Sequence, residues 1–142
     1  MPAASPRLPM INAKPVPRVP PEVPSLLPLA QRTRLTQGRR LLTAWGDAAA
    51  PRQLVWHLWA PERPAPGAAP VVLFHGGSGS WTHWVKNIPA LLDHGRRVLA
   101  ADLPGFGDSD APERGTDADA MVEPLAAGLR TLLGDEAADL VG

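Results

Sequence analysis

Asp102-Leu103-Pro104-Gly105-Phe106-Gly107-Asp108-Ser109 follows the apolar run Arg97 to Leu103, and His75-Gly76-Gly77-Ser78-Gly79-Ser80 follows the apolar run Val71-Val72-Leu73-Phe74. Short apolar runs of this kind, each entering a glycine-bearing turn, read as buried parallel strands. Between and after them the apolar residues change period. Trp81, Trp84, Val85, Ile88, Leu91 and Leu92 recur at intervals of three and four, as do Met121, Val122, Leu125, Leu129, Leu132 and Leu133. These spacings predict a helix from about Thr82, bent or restarted at Pro89 and closed by Gly95. A second helix carries Pro124 in its first turn and Gly134 at its end. Ala138-Asp139-Leu140-Val141-Gly142 then reads as another buried strand. Alternating strands and helices imply a mainly parallel sheet with right-handed crossovers.

Upstream, Arg39 to Trp45 and Gln53 to Trp59 are β-prone runs joined by Gly46-Asp47-Ala48-Ala49-Ala50-Pro51, and they read as an antiparallel pair. Leu54, Trp56 and Leu58 fall on one face of the second run, with Val55, His57 and Trp59 on the other. Both faces are largely apolar, so this strand is expected to be covered on both sides. Before it, nine prolines between Met1 and Ala30 deny a helix or central strand its backbone donors. The expected organisation is a Pro/Arg-rich disordered tail over 1–34 and a folded domain over 35–142.

The net charge of zero conceals an asymmetry. Arg7, Lys14, Arg18, Arg32, Arg34, Arg39 and Arg40 face only Glu22 in the first 46 residues, while from Asp102 onward ten carboxylates meet only Arg114 and Arg130. The arginines of the tail are scattered and lack interleaved aromatics, which argues against a nucleic-acid or membrane surface. No apolar run is long enough to span a bilayer or serve as a signal segment, so a cytoplasmic protein is expected. The absence of cysteine excludes disulfides, zinc–thiolate sites and a thiol nucleophile from these 142 residues. His57, His83 and His94 follow no metal-ligand spacing, and no cofactor is expected.

The order of the two glycine motifs and the terminal strand resembles the first half of an α/β-hydrolase. In that family a strand of the Asp-Leu-Val-Gly kind runs into the G-x-S-x-G nucleophile elbow. The resemblance covers Val71 to Gly142 and extends more loosely to Arg39 to Trp59. It implies five strands of a larger, mostly parallel sheet with an antiparallel opening pair. It makes Gly142 the first glycine of the elbow, with the nucleophile, triad acid and catalytic histidine all beyond it, so no catalytic residue is assigned within the chain.

By the same resemblance the amide of Gly77 is an oxyanion donor within a loop formed by His75, Gly76, Ser78 and Gly79, and His75 orients that loop. Asp102, Pro104, Gly105, Gly107 and Ser109 match the family's D-x-P-G-x-G-x-S segment and are read as a structural loop. Trp81 and Trp84 are candidate pocket-lining residues, and Ser78 to Ser80 are read as turn and capping groups.

Epoxide hydrolases and haloalkane dehalogenases of the superfamily commonly carry proline shortly after the His-Gly step, where this chain has Ser78. The His-Gly-Gly form is similar to serine esterases, lactonases and carbon–carbon bond hydrolases. The function implied is hydrolysis of a small-molecule ester, lactone or C–C bond through an acyl-enzyme, with the 142-residue chain inactive alone. An aspartate nucleophile and a non-catalytic remnant stay open, as does the oligomeric state. A nucleotide-binding module is a further alternative, because Gly77-Ser78-Gly79 follows a strand and Asp102 ends the next one. Thr82 nevertheless stands where a third glycine is required.

Overall fold

A five-stranded sheet forms because three apolar runs of the chain are long enough to be strands but too short to bury themselves as helices. The computed structural model describes residues 27–115 and 117–142. Its strands are β1 (Arg39–Trp45), β2 (Arg52–Trp59), β3 (Val71–Phe74), β4 (Val98–Ala101) and β5 (Asp139–Val141), in the spatial order β1-β2-β4-β3-β5. β1 pairs antiparallel with β2, and β2 antiparallel with β4. β3 lies parallel to β4 on one side and to β5 on the other. The chain therefore crosses back over β3 between β4 and β5.

The period-two pattern of β2 is realised as two cores, one on each face of the sheet. Leu54, Trp56 and Leu58 pack with Val72, Leu99, Ala101 and Leu132 on the face covered by α3 (Asp119–Leu133). Trp59 packs with Val71, Leu73, Val98 and Ala100 on the other face, beneath α1 (Leu29–Thr36) and α2 (Ile88–Asp93). α3 comes close to the sheet at Gly128. A Cβ there would stand 2.6 Å from the Trp56 ring and 2.9 Å from Thr43 Oγ1. Those two groups are themselves joined by an indole N–H bond of 2.9 Å. A side chain at Gly128 would have to displace this buried pair.

Four expectations need correction. The disordered tail, placed through residue 34, lies outside the described residues as far as residue 26, but Leu29 to Arg34 are helical. Leu27 and Leu35 bury themselves in the core, and the Trp59 indole donates to the Leu35 carbonyl at 3.0 Å, which holds α1 against the sheet. The helix expected from Thr82 restarts near Pro89, as one of the two expected forms, but its first piece is not an α-helix. Trp81–Trp84 is a 3₁₀ turn and α2 begins anew at Ile88, because Pro89 fits the first turn of a helix and not its interior.

Pro124 lies in the second turn of α3, since the helix starts at Asp119, two residues before its first apolar position. The strand read as buried, β5, has all three residues exposed, with Leu140 at 59% and Val141 at 42%. It is an edge strand among the described residues, paired only with β3, so its apolar side chains lack covering partners. No helix of the described residues is long and apolar enough to cross a membrane.

Candidate active-site edge

Parallel strands deliver the loops after β3, β4 and β5 to one edge of the sheet. Register fixes their neighbourhood: Phe74 stands opposite Ala101, and Leu73 opposite Val141. The turn beginning at His75 and the loop beginning at Asp102 therefore emerge side by side. On the far side of β3, a Cβ on Gly142 would lie 3.5 Å from Phe74 Cβ, at the threshold of the same turn. In open α/β sheets this carboxyl edge, beside the strand where the chain reverses direction across the sheet, is where ligands bind.

His75 is buried, and both its ring nitrogens are engaged by backbone. Nε2 accepts from the Leu103 amide at 3.0 Å, so the proton sits on Nδ1, which donates to the Gly76 carbonyl at 2.7 Å. The ring is also edge-on to Phe106, with centroids 5.5 Å apart. A histidine so occupied ties the two loops together and has no free nitrogen for proton transfer.

Gly76, Gly77 and Ser78 are exposed, and no atom lies within 4 Å of where a Cβ on Gly76 or Gly77 would stand. Gly79 is different, since a Cβ there would meet the His83 ring at 2.2 Å. Ser80 caps the 3₁₀ turn, accepting from the Thr82 amide at 3.3 Å and sharing a 2.7 Å bond with the Thr82 hydroxyl.

Asp102 is 2% exposed. Its Oδ1 accepts from the Trp81 amide at 2.9 Å, and its Oδ2 accepts from the Asp108 amide at 3.3 Å and faces His57 Nε2 at 3.5 Å. Burial by itself would raise the carboxyl's pKa. The bond from His57, the Trp81 amide, the charge of His57 and the Asp108 amide outweigh it and hold the pKa below the ordinary aspartate value.

The rest of the loop is sewn to β2. Ser109 Oγ donates to the Asp102 carbonyl at 2.6 Å and accepts from the Val55 amide at 2.8 Å, and Asp110 exchanges bonds with Gln53. Pro104 is fully buried, and Gly105 and Gly107 take φ of 84° and 52°. Asp102, with its carboxylate fully committed, is unavailable to a ribose, which removes the main support of the nucleotide reading.

Of the two candidate pocket residues, Trp81 is instead core, 4% exposed, with centroid distances of 4.9 Å to His57 and 5.2 Å to Trp59. Trp84 is half-buried against the same core. The ring of Trp81 has apolar neighbours on the α1–α2 face and so turns inward. Among the described residues no group of three or more His, Cys, Asp or Glu side chains could hold a metal ion.

Sequence reasoning passed over His57, which was weighed only as a metal ligand. Its signal was its place between Val55 and Trp59, a polar side chain flanked by apolar ones on one face of β2. Partnership with Asp102, 45 residues away, depends on the pairing of β2 with β4.

A sequence model of the alpha/beta hydrolase fold matches residues 69–142. The chain belongs to the α/β hydrolase fold family. Hydrolases are among its relatives. It is 53% identical over 51 residues to a haloalkane dehalogenase of Psychrobacter cryohalolentis, a match covering 35% of this chain and 16% of that protein. It is 36% identical over 75 residues to a 2-hydroxy-6-oxo-6-phenylhexa-2,4-dienoate hydrolase of Comamonas testosteroni, covering 51% of this chain and 26% of that protein.

Among solved structures, a probable hydrolytic enzyme from Pseudomonas aeruginosa superposes with a TM-score of 0.61 at 24% identity, over 72% of this chain and 32% of the other. That likeness is one of fold. The chain thus spans from about a sixth to a third of the length of these proteins.

Proposed function

We propose that this chain supplies the oxyanion-binding side of a serine-type hydrolase acting on an ester, lactone or carbon–carbon bond of a small molecule through an acyl-enzyme. The observation that carries this reading is the open space around Gly76 and Gly77 at the sheet edge where β3 and β5 end together. A substrate carbonyl brought there would meet a main chain without side chains, with the Gly77 amide available as a donor.

In this reading a serine two positions beyond Gly142 attacks the carbonyl carbon, and a histidine farther along takes its proton. The tetrahedral oxygen is held by the amides of Gly77 and of the residue after the nucleophile. The histidine then protonates the leaving group, and water releases the acyl group. The His75-Gly76-Gly77-Ser78 sequence and the match to the Comamonas hydrolase support the acyl-enzyme form.

The test is hydrolysis of activated esters by protein expressed from the natural reading frame through and past the Gly142 codon, beside the 142-residue chain. The longer protein is expected to turn over. Gly77→Pro, which deletes the donor, should lower kcat about 100- to 1000-fold, the usual effect of removing one oxyanion donor. The 142-residue chain should be inactive, and turnover by it that Gly77→Pro abolishes would overturn that part of the proposal. The identity with the haloalkane dehalogenase favours a second reading, with an aspartate nucleophile attacking carbon. Halide release without ester hydrolysis would select it.

A further inference from the structure

The glycine turn is held at both ends from a single place. At its start, His75 accepts from the Leu103 amide. At its end, the Trp81 amide donates to Asp102 Oδ1. Between these two posts Gly76, Gly77 and Ser78 are exposed and touch little. The second post is a carboxylate, and a carboxylate this deeply buried needs donors on its other oxygen to stay where it is. Two are present: the Asp108 amide, from Asp102's own loop, and His57, from β2. His57 is the one side-chain donor to the carboxylate, and it stands on β2, where the Val55 carbonyl also accepts from the Asp102 amide at 3.0 Å. Its ring forms a three-ring cluster with Trp59 and Trp81, at 6.1 Å and 4.9 Å from them, so the residue that faces the carboxylate also packs on the residue whose amide the carboxylate holds.

We propose that His57 and Asp102 are a positioning pair for the glycine turn, with Asp102 holding the Trp81 amide and His57 holding Asp102, so that the direction of the Gly77 N–H is set from β2. The role as a positioning pair for an oxyanion donor rests on the reading of Gly77 given above. Neither residue touches the space in front of the turn, so neither is catalytic.

Residue-resolved amide hydrogen exchange on the 142-residue chain tests the pair without any hydrolysis. His57→Phe keeps an aromatic ring against Trp59 and Trp81 and removes the donor. It should speed exchange at the Trp81 and Asp108 amides, which the carboxylate holds, about tenfold while Val72 and Leu99 are unchanged, as expected for loss of one bond to a charged group. Asp102→Asn should have a larger effect at the same amides. His57→Gln, which restores a donor but no ring, should recover most of the protection lost in His57→Phe.

Unchanged exchange at Trp81 in His57→Phe and Asp102→Asn would overturn the proposal. So would equal acceleration at Val72 and Leu99, because both residues would then act only on global stability. A turn that loses protection in these variants, in a protein whose extended form hydrolyses nothing, would leave the clamp standing and remove the oxyanion reading.

Discussion

Gly77 and Gly107 occupy turns that look alike in the sequence, each a few residues after a short apolar strand, yet the two glycines meet opposite surroundings. A Cβ on Gly77 would have nothing within 4 Å, and its φ lies outside the left-handed region. A Cβ on Gly107 would stand 2.5 Å from the Asp102 carboxylate, at a φ of 52°. One glycine borders open space, and the other lets the chain close on its own buried charge. The turn after β3 is the surface proposed above to meet substrate, and the loop after β4 packs against its start and end.

The largest effect that would break this contrast is on stability. Gly107→Ala combines the left-handed backbone penalty with overpacking against a buried carboxylate, and should cost about 3 kcal/mol in urea unfolding. Gly105→Ala has a similar φ but ordinary contacts of 3.8 Å, and should cost only about 1–2 kcal/mol. Equal losses at the two positions would mean that Asp102 does not crowd the loop.

An intermediate effect concerns acid. The folded-state pKa of Asp102 is depressed below its unfolded value of about 3.9, so its contribution is fully present above that value and is lost as pH falls through it towards the folded pKa. The midpoint of urea unfolding should fall as the pH is lowered below about 4. In Asp102→Asn the fall should be shallower over that window, from a starting stability lower by about 1–3 kcal/mol. Parallel pH profiles would show that other carboxylates govern acid unfolding.

The smallest effect is at Gly77. Gly77→Ala should change stability by no more than about 0.5 kcal/mol, as for surface substitutions without special contacts. A loss as large as that at Gly107 would erase the distinction between the two turns.

The two-faced pattern of β2, the strand–turn–helix alternation and both glycine motifs were legible because each is a local property, readable from period and turn chemistry within a dozen residues. Ser80 as a cap was legible for the same reason. The helix at Leu29 was obscured by the prolines before it, since its stability comes from Leu27 and Leu35 burying against the sheet and from the Trp59 indole, none of which is a local signal.

The sequence by itself determined the order of elements, the glycine turns and the family, since these depend on residue type and spacing along the chain. Only the tertiary structure decided which glycine faces open space and which faces a carboxylate. It also decided that His75 is committed to backbone, that Trp81 turns inward, and that His57 meets Asp102. The partnerships of His75 and His57 follow from strand pairing, which brings together groups 28 and 45 residues apart and sets burial, hydrogen bonding and charge at the meeting point.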